Sequence, residues 1–332
     1  MRYIITGGTG HIGNNLIRYI RKAEPDAEII APVRRAPGFA LEDVECLPVL
    51  GDLSDEKFLR MLIRPGDTVI HLAALIDLTD KRRTETMAVN YGITRTICRV
   101  CREIGHVRFL YFGSVDAIYH PGNIEISEPE FYDPAKIEGN YGQSKALAAN
   151  YVLGEIRRNS SFSAAILLPS AVIGPDDRKP SAVGKVILGA LRGTPEFGIE
   201  GGYNFVDVRD VCKAAYALCT EKRELRGQFI LSGHNVTVKE LYEQLNRICG
   251  IKHSPTMIPT ALVNFCLPFV KVLNRLTIKA LADPHDYSCE KARQELGFEP
   301  RPFEETLKDT VRWFATNRKR FRPDAKKQEA KK

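Results

Sequence analysis

The chain has 332 residues, 44% of them hydrophobic and 27% charged. That is enough apolar matter for one large core or two coupled ones, and it excludes a chain that is disordered throughout or collagen-like. The formal net charge is +7, but eight basic and two acidic residues put +6 of it in residues 318–332, so the remaining body is nearly neutral and no nucleic-acid partner is expected.

Strand-like apolar runs at 2–6, 28–33, 46–50, 68–72, 107–112 and 164–168 alternate with helical patterns at 11–22, 54–63, 84–104 and 141–158. In the first helix Ile12, Leu16, Ile17 and Ile20 share one face, and Ser54 reads as the cap of the second. The strands are apolar along their whole length rather than alternating. This predicts an α/β fold whose parallel sheet is covered by helices on both faces. After Pro169 the rhythm breaks. Residues 181–192 read as helix, 204–206 as extended, 208–220 as helix and 228–231 as a strand. From Thr237 helix and loop dominate. The expected division is a nucleotide-binding domain (1–172 plus 204–232), a smaller, mostly helical substrate lobe (173–203 plus 233–317) and a basic, disordered tail (318–332).

Eight cysteines in so long a chain do not resemble a disulfide framework, and because Met1-Arg2-Tyr3-Ile4-Ile5 leads straight into a strand-like run no signal peptide is expected. A reducing, cytoplasmic setting is expected. Cys98 and Cys101 form a lone CxxC without a second ligand pair, so no metal site is expected. The apolar stretch 258–273 is interrupted by Pro259, Asn264, Pro268 and Lys271 and is no transmembrane segment. Peripheral membrane contact through the basic tail is the minor alternative to a merely solvated terminus.

Between the first strand and first helix stands Thr6-Gly7-Gly8-Thr9-Gly10-His11-Ile12-Gly13. Gly7, Gly10 and Gly13 permit a tight turn and close backbone approach to a pyrophosphate. The helix start, with His11 and Ile12, offers free N–H groups to it. The second strand ends Pro32-Val33-Arg34-Arg35, with no acid to bind a ribose 2′-hydroxyl. Two guanidiniums suit a 2′-phosphate, so NADP is the expected cofactor and NAD the alternative.

Tyr141-Gly142-Gln143-Ser144-Lys145 puts Tyr141 and Lys145 one helical turn apart. A neighbouring ammonium lowers a phenol's pKa, so Tyr141 is a candidate to exchange a proton with a substrate oxygen. Ser114, just past the strand 107–112, lies where a parallel sheet binds ligands and could hold that oxygen.

These motifs, in order and spacing, resemble the extended short-chain dehydrogenases/reductases of the NAD-dependent epimerase/dehydratase superfamily. The likeness covers roughly 1–316. It also rests on Gly51-Asp52-Leu53-Ser54-Asp55, His71-Leu72-Ala73-Ala74, Asn90, Pro169-Ser170-x-x-Ile173-Gly174-Pro175 and Phe205-Val206-Asp207-Val208-Arg209-Asp210-Val211. The segments Phe131-Tyr132-Asp133-Pro134, Pro169–Pro175 and Gly202–Asp210 resemble the dihydroflavonol reductase-like branch. The resemblance implies a Rossmann-type doubly wound sheet. It implies Ser114, Tyr141 and Lys145 as catalytic, with Lys145 also on the nicotinamide ribose. Asp52 and Leu53 would contact adenine, and Leu72, Ala73 and Ala74 would line the cofactor. Asn90 would brace the site, and Pro169 with its neighbours, including Val172, would meet the carboxamide. Helices 84–104 and 141–158 resemble a pair that forms homodimers in this superfamily. Many relatives carry a Ser-Ser or Ser-Thr pair where this chain has Gly113-Ser114. Asp116 and His120 follow closely: an acid near here transfers protons in some dehydratase relatives, and His120 would shape the pocket. Asp207 and Asp210 read as a structural turn and cap.

Substrate contacts are expected from 173–205 and 251–287, which supply Phe197, Tyr203, Ile258, Leu262, Phe265 and Phe269. Few cations stand in the second stretch, whereas a sugar nucleotide needs them for its diphosphate. The expected activity is therefore NADP-linked reduction or oxidation of a lipophilic or aromatic carbonyl or alcohol. The alternatives are an NAD-dependent sugar-nucleotide epimerase or dehydratase and a non-catalytic NAD(P)-binding regulatory protein. Ser114, Tyr141 and Lys145 argue against the last.

Overall fold

The computed structural model describes residues 1–77, 79–120, 122, 124–194, 197–222, 224–259 and 286–321. Seven strands form one parallel sheet in the order β3-β2-β1-β4-β5-β6-β10. They are β1 (Arg2–Thr6), β2 (Glu28–Val33), β3 (Leu47–Leu50), β4 (Thr68–His71), β5 (Arg108–Phe112), β6 (Ala164–Pro169) and β10 (Arg226–Leu231). Every residue of β4 and β6 is buried, which is why these strands carry no polar alternation. The expected Rossmann-type doubly wound α/β sheet is present.

Two apolar layers flank the sheet. On one face pack α1 (His11–Ala23), α7 (Val208–Thr220) and α9 (Glu290–Leu296), through residues such as Leu16, Ile20, Val211, Leu218 and Ala292. On the other pack α2 (Glu56–Leu62), α4 (Thr94–Ile104) and α5 (Asn140–Arg158), through Leu59, Ile97, Val100, Ala149 and Val152. A third apolar cluster joins α6 (Ala182–Ala190), α8 (Val238–Cys249) and α10 (Phe303–Thr316), through Ile187, Leu245, Leu307 and Phe314. It packs on a small sheet, β11 (His234–Thr237), β9 (Gly202–Asp207) and β7 (Ala171–Ile173). The expected division at 172/173 and 203/204 cuts through two paired strands of this sheet. β8 (Phe197–Ile199) pairs with β12 (Thr256–Ile258).

Three local expectations are corrected. Asp55, not Ser54, caps α2, accepting from Lys57 N at 2.9 Å; Ser54 N is itself held by Asp52 at 2.8 Å. The helix expected over 84–104 is interrupted. α3 (Arg83–Met87) passes into a π-helical turn, Ala88–Ile93, before α4. The basic tail starts later than expected: Arg318–Phe321 forms a 3₁₀ turn, with Phe321 against Trp313, Phe314 and Phe39. Phe321 has apolar surface to bury, which solvation of the neighbouring charges does not offset. Residues 322–332 lie outside the described residues, as do Leu262, Phe265 and Phe269. The seven described cysteines are free thiols.

Candidate active site

The winding direction reverses between β1 and β4, so the loops beyond their C-terminal ends open a crevice there. The glycine turn forms one wall. Gly7 has φ +73°, and a Cβ on it would come within 2.7 Å of Ala73 N; a Cβ on Gly13 would strike the Gly7 carbonyl. Gly10 N donates to Gly7 O at 2.8 Å, which closes the turn. Asp55, Ser181, Asp207 and Thr237 cap α2, α6, α7 and α8 with their side chains. α1 has only Gly10 at that position and no acid in its first turn. Its leading N–H groups, around His11, Ile12 and Gly13, therefore fit a phosphate.

The other expected cofactor residues cluster at the same edge. Arg34 and Arg35 follow β2 and are exposed. Asp52 and Leu53 follow β3, and Leu72, Ala73 and Ala74 follow β4. Asp52 is held below the usual carboxylate pKa by hydrogen bonds from Ser54, with help from Arg34. Pro169 ends β6 and Val172 lies in β7. Between them the buried Ser170 hydroxyl has no partner among the described residues, so it too is available to a ligand.

Ser114, Tyr141 and Lys145 converge beyond β5. Ser114 Oγ donates to Asp116 Oδ2 at 3.0 Å, and Tyr203 OH donates to Asp116 Oδ1 at 2.5 Å. Burial and the Asp116 charge push the Tyr141 phenol well above its ordinary pKa, opposed by contact with Ser114. Tyr141 is therefore a protonated donor at neutral pH. Lys145 Nζ donates to Phe112 O at 2.7 Å and lies 5.1 Å from the centre of the Tyr111 ring. Burial pushes its pKa down to about 7, while Asp116 opposes the fall. The largest influences on Tyr141 are thus burial and Asp116, rather than the Lys145 ammonium that its helical spacing brings to mind.

A model of the NAD dependent epimerase/dehydratase family matches residues 3–231. The chain belongs to this family. Like others of the extended short-chain dehydrogenase/reductase type, it is an NAD(P)-dependent enzyme. Relatives include a Synechocystis protein named for dihydroflavonol 4-reductase, 29% identical over 94% of each chain. Another is sterol demethylase protein B of Methylococcus capsulatus, 26% identical over 95% of this chain and 98% of that one. Among solved structures, the UDP-glucose 4-epimerase of Thermotoga maritima superposes with a TM-score of 0.77 at 23% identity. That match covers 96% of this chain and 99% of the epimerase and supports the fold.

Asn90 ties the loop after β4 to α5. Its Oδ1 accepts from Leu75 N at 2.7 Å, and its Nδ2 donates to Leu75 O and to Ser144 Oγ, both at 2.9 Å. It lies within the π-helical turn, an irregularity common at functional sites. Asp207 and Asp210 are structural: Asp207 caps α7 through Arg209 N at 2.7 Å, and Asp210 holds Arg301 at 2.7 Å. Sequence reasoning overlooked the His71 network. His71 is buried, with Nδ1 2.7 Å from Thr6 Oγ1 and Nε2 2.9 Å from Thr94 Oγ1. It also overlooked Asp116 as the link from Ser114 to Tyr203. Their separation of 87 residues between Asp116 and Tyr203 leaves no local signal.

Asp116 raises the pKa of both Tyr141 and Lys145. Asp116→Asn, which removes the charge and keeps the shape, is expected to lower both. The basic limb of the kcat/KM–pH profile should then move to lower pH. An unmoved limb would show that neither group senses Asp116.

Proposed function

We propose that this enzyme transfers hydride between NADP and a carbonyl or secondary alcohol of a small lipophilic or aromatic molecule, with Tyr141 as proton donor and acceptor. The observation that carries the reading is the convergence of Ser114, Tyr141 and Lys145 beyond β5, with burial and Asp116 favouring the protonated phenol, in a chain of the NAD dependent epimerase/dehydratase family. A bound nicotinamide supplies or accepts the hydride. Tyr141 gives a proton to the carbonyl oxygen during reduction and takes it back during oxidation. Ser114 orients that oxygen once substrate displaces its bond to Asp116. Lys145, held by Phe112 O, stands one helical turn from Tyr141, where its ammonium would stabilise a phenolate and would be the residue to hold the nicotinamide ribose. The proposed assembly is a homodimer through α4 and α5.

NADPH consumption measured over ketones, aldehydes, flavonoid-like and steroid carbonyls, beside a UDP-sugar panel, tests this. Net oxidation with a carbonyl and none with UDP-sugars is expected. Interconversion of a UDP-sugar without net cofactor consumption would overturn it in favour of an epimerase.

The preference for NADP rests on Arg34 and Arg35 at the end of β2, where an acid would serve NAD. Arg34→Asp should weaken NADPH roughly 10- to 150-fold, the worth of one charge-assisted contact, and leave NADH binding nearly intact. Titrating both cofactors checks it. Equal affinities in the unmodified enzyme would refute the preference.

A further inference from the structure

After β7 the chain does not leave the nucleotide-binding face. It crosses it as a strap. His11 Nε2 donates to Pro175 O at 2.9 Å, and Asn15 Nδ2 donates to the same oxygen at 3.1 Å. Asp176, in the left-handed region at φ 58°, lies 3.7 Å from Arg18. The Arg178 guanidinium donates to Phe39 O at 2.8 Å and Glu42 O at 2.6 Å, and its carbon stands 4.8 Å from the Phe39 ring centre. Asp177 accepts from Ser181 N at 2.8 Å and so joins the strap to the start of α6. Pro175, Asp176 and Arg178 fix this segment over α1 and the loop after β2.

The strap carries Lys179 onto the glycine turn. Its Nζ donates to Thr9 Oγ1 at 3.2 Å. Arg178, its neighbour, is bonded to Phe39 O and Glu42 O, so Lys179 stands between the glycine turn and the loop that carries Arg34 and Arg35; partial burial, then the charges of Arg35 and Arg34, depress its pKa. None of these three cations forms an ion pair with a described carboxylate. Asp52 acts on Arg34 only through space. Like charges gathered without a counter-ion repel one another, and a dianion among them would turn that repulsion into three charge-assisted contacts.

We propose that Lys179 is the third cation of the adenosine 2′-phosphate site, so that the cofactor's phosphate is held from the nucleotide domain by Arg34 and Arg35 and from the strap by Lys179. The inference rests on the NADP reading above. It adds a consequence for the fold. Phosphate bound here ties the segment leading into α6, a helix of the third apolar cluster, to the glycine turn. The cofactor thereby closes one end of the substrate side.

Binding of NADPH, NADH, adenosine 2′,5′-bisphosphate and 5′-AMP to the full-length protein, by calorimetry, tests it. The Lys179 side chain is only partly covered, and the strap is anchored by the residues before it, so Lys179→Gln should fold normally, which an unchanged melting temperature verifies. This variant is expected to weaken NADPH and adenosine 2′,5′-bisphosphate roughly tenfold, leave NADH and 5′-AMP unchanged, and lose most of the deficit when Arg replaces Gln. Equal weakening of NADPH and NADH would place Lys179 on the pyrophosphate and overturn the assignment. If Lys179→Gln changes nothing while Arg34→Asp abolishes the NADPH preference, the inference fails and the NADP reading stands. An unmodified enzyme without NADPH preference would fail both.

Discussion

Tyr141→Phe is expected to lower turnover of a reducible carbonyl by about 10²- to 10⁴-fold while leaving NADPH affinity near that of the unmodified enzyme. The phenol's only chemical contribution is its O–H, and the ring that packs around the crevice is retained. Burial and Asp116 favour the protonated form of that O–H, which is the form the proposed proton donation needs. Lys145→Met should differ by damaging both turnover and cofactor binding, because the proposed mechanism gives its ammonium two partners, the phenolate and the nicotinamide ribose. Ser114→Ala should cost less turnover than Tyr141→Phe, since Tyr141 still reaches the oxygen. Single-turnover rates and cofactor titrations on the three variants separate these patterns. Near-normal turnover in Tyr141→Phe would assign the proton to another group, with Asp116 the first to examine.

The second large effect concerns acid stability. The Thr94 hydroxyl donates to Asn90 O at 2.6 Å, so its oxygen accepts from His71 Nε2–H. Thr6 Oγ1 accepts from Leu72 N and Ala73 N, both at 3.2 Å, and donates its own proton to His71 Nδ1. His71 is therefore neutral, with its proton on Nε2, and a second proton on Nδ1 would face the Thr6 O–H. Burial, then the Lys145 charge, pushes its pKa down to about 3. Between about pH 6.5 and 3 the unfolded chain binds a proton that the native chain refuses, so stability falls as pH falls across that window. The loss attributable to His71 is on the order of 5 kcal/mol. His71→Gln keeps a donor and an acceptor but cannot titrate. It is expected to flatten the dependence of unfolding free energy on pH by up to one proton between pH 6.5 and 4. Denaturant titrations at several pH values measure that slope; identical slopes in both proteins would remove His71 from the account. The network matters for the site because Thr6, Leu72 and Ala73 hold the glycine turn against the loop after β4.

Much of the nucleotide-binding half was legible because its signals are local. A fully apolar strand, a glycine-spaced turn and an amphipathic helix are specified within about twenty residues, through φ freedom at Gly7 and the facing of Leu16, Ile17 and Ile20. The one-turn spacing of Tyr141 and Lys145 was equally visible. Local reading failed where two neighbours compete or a helix changes pitch. Ser54 and Asp55 are both good caps, and backbone placement chose Asp55. The π turn around Asn90 accompanies side-chain bonds to Leu75 and Ser144, the second of them 54 residues away, which no helical periodicity reveals. The electrostatics of the site belong to the tertiary structure alone. Tyr203 reaches Asp116 across 87 residues, and Lys179 reaches Thr9 across 170. The residue types at those positions announce what each group can donate or accept. Which groups meet, and whether burial then favours the neutral form of Tyr141 or Lys145, is decided when distant segments pack and exclude water, because desolvation and charge proximity depend on distance in space rather than along the chain.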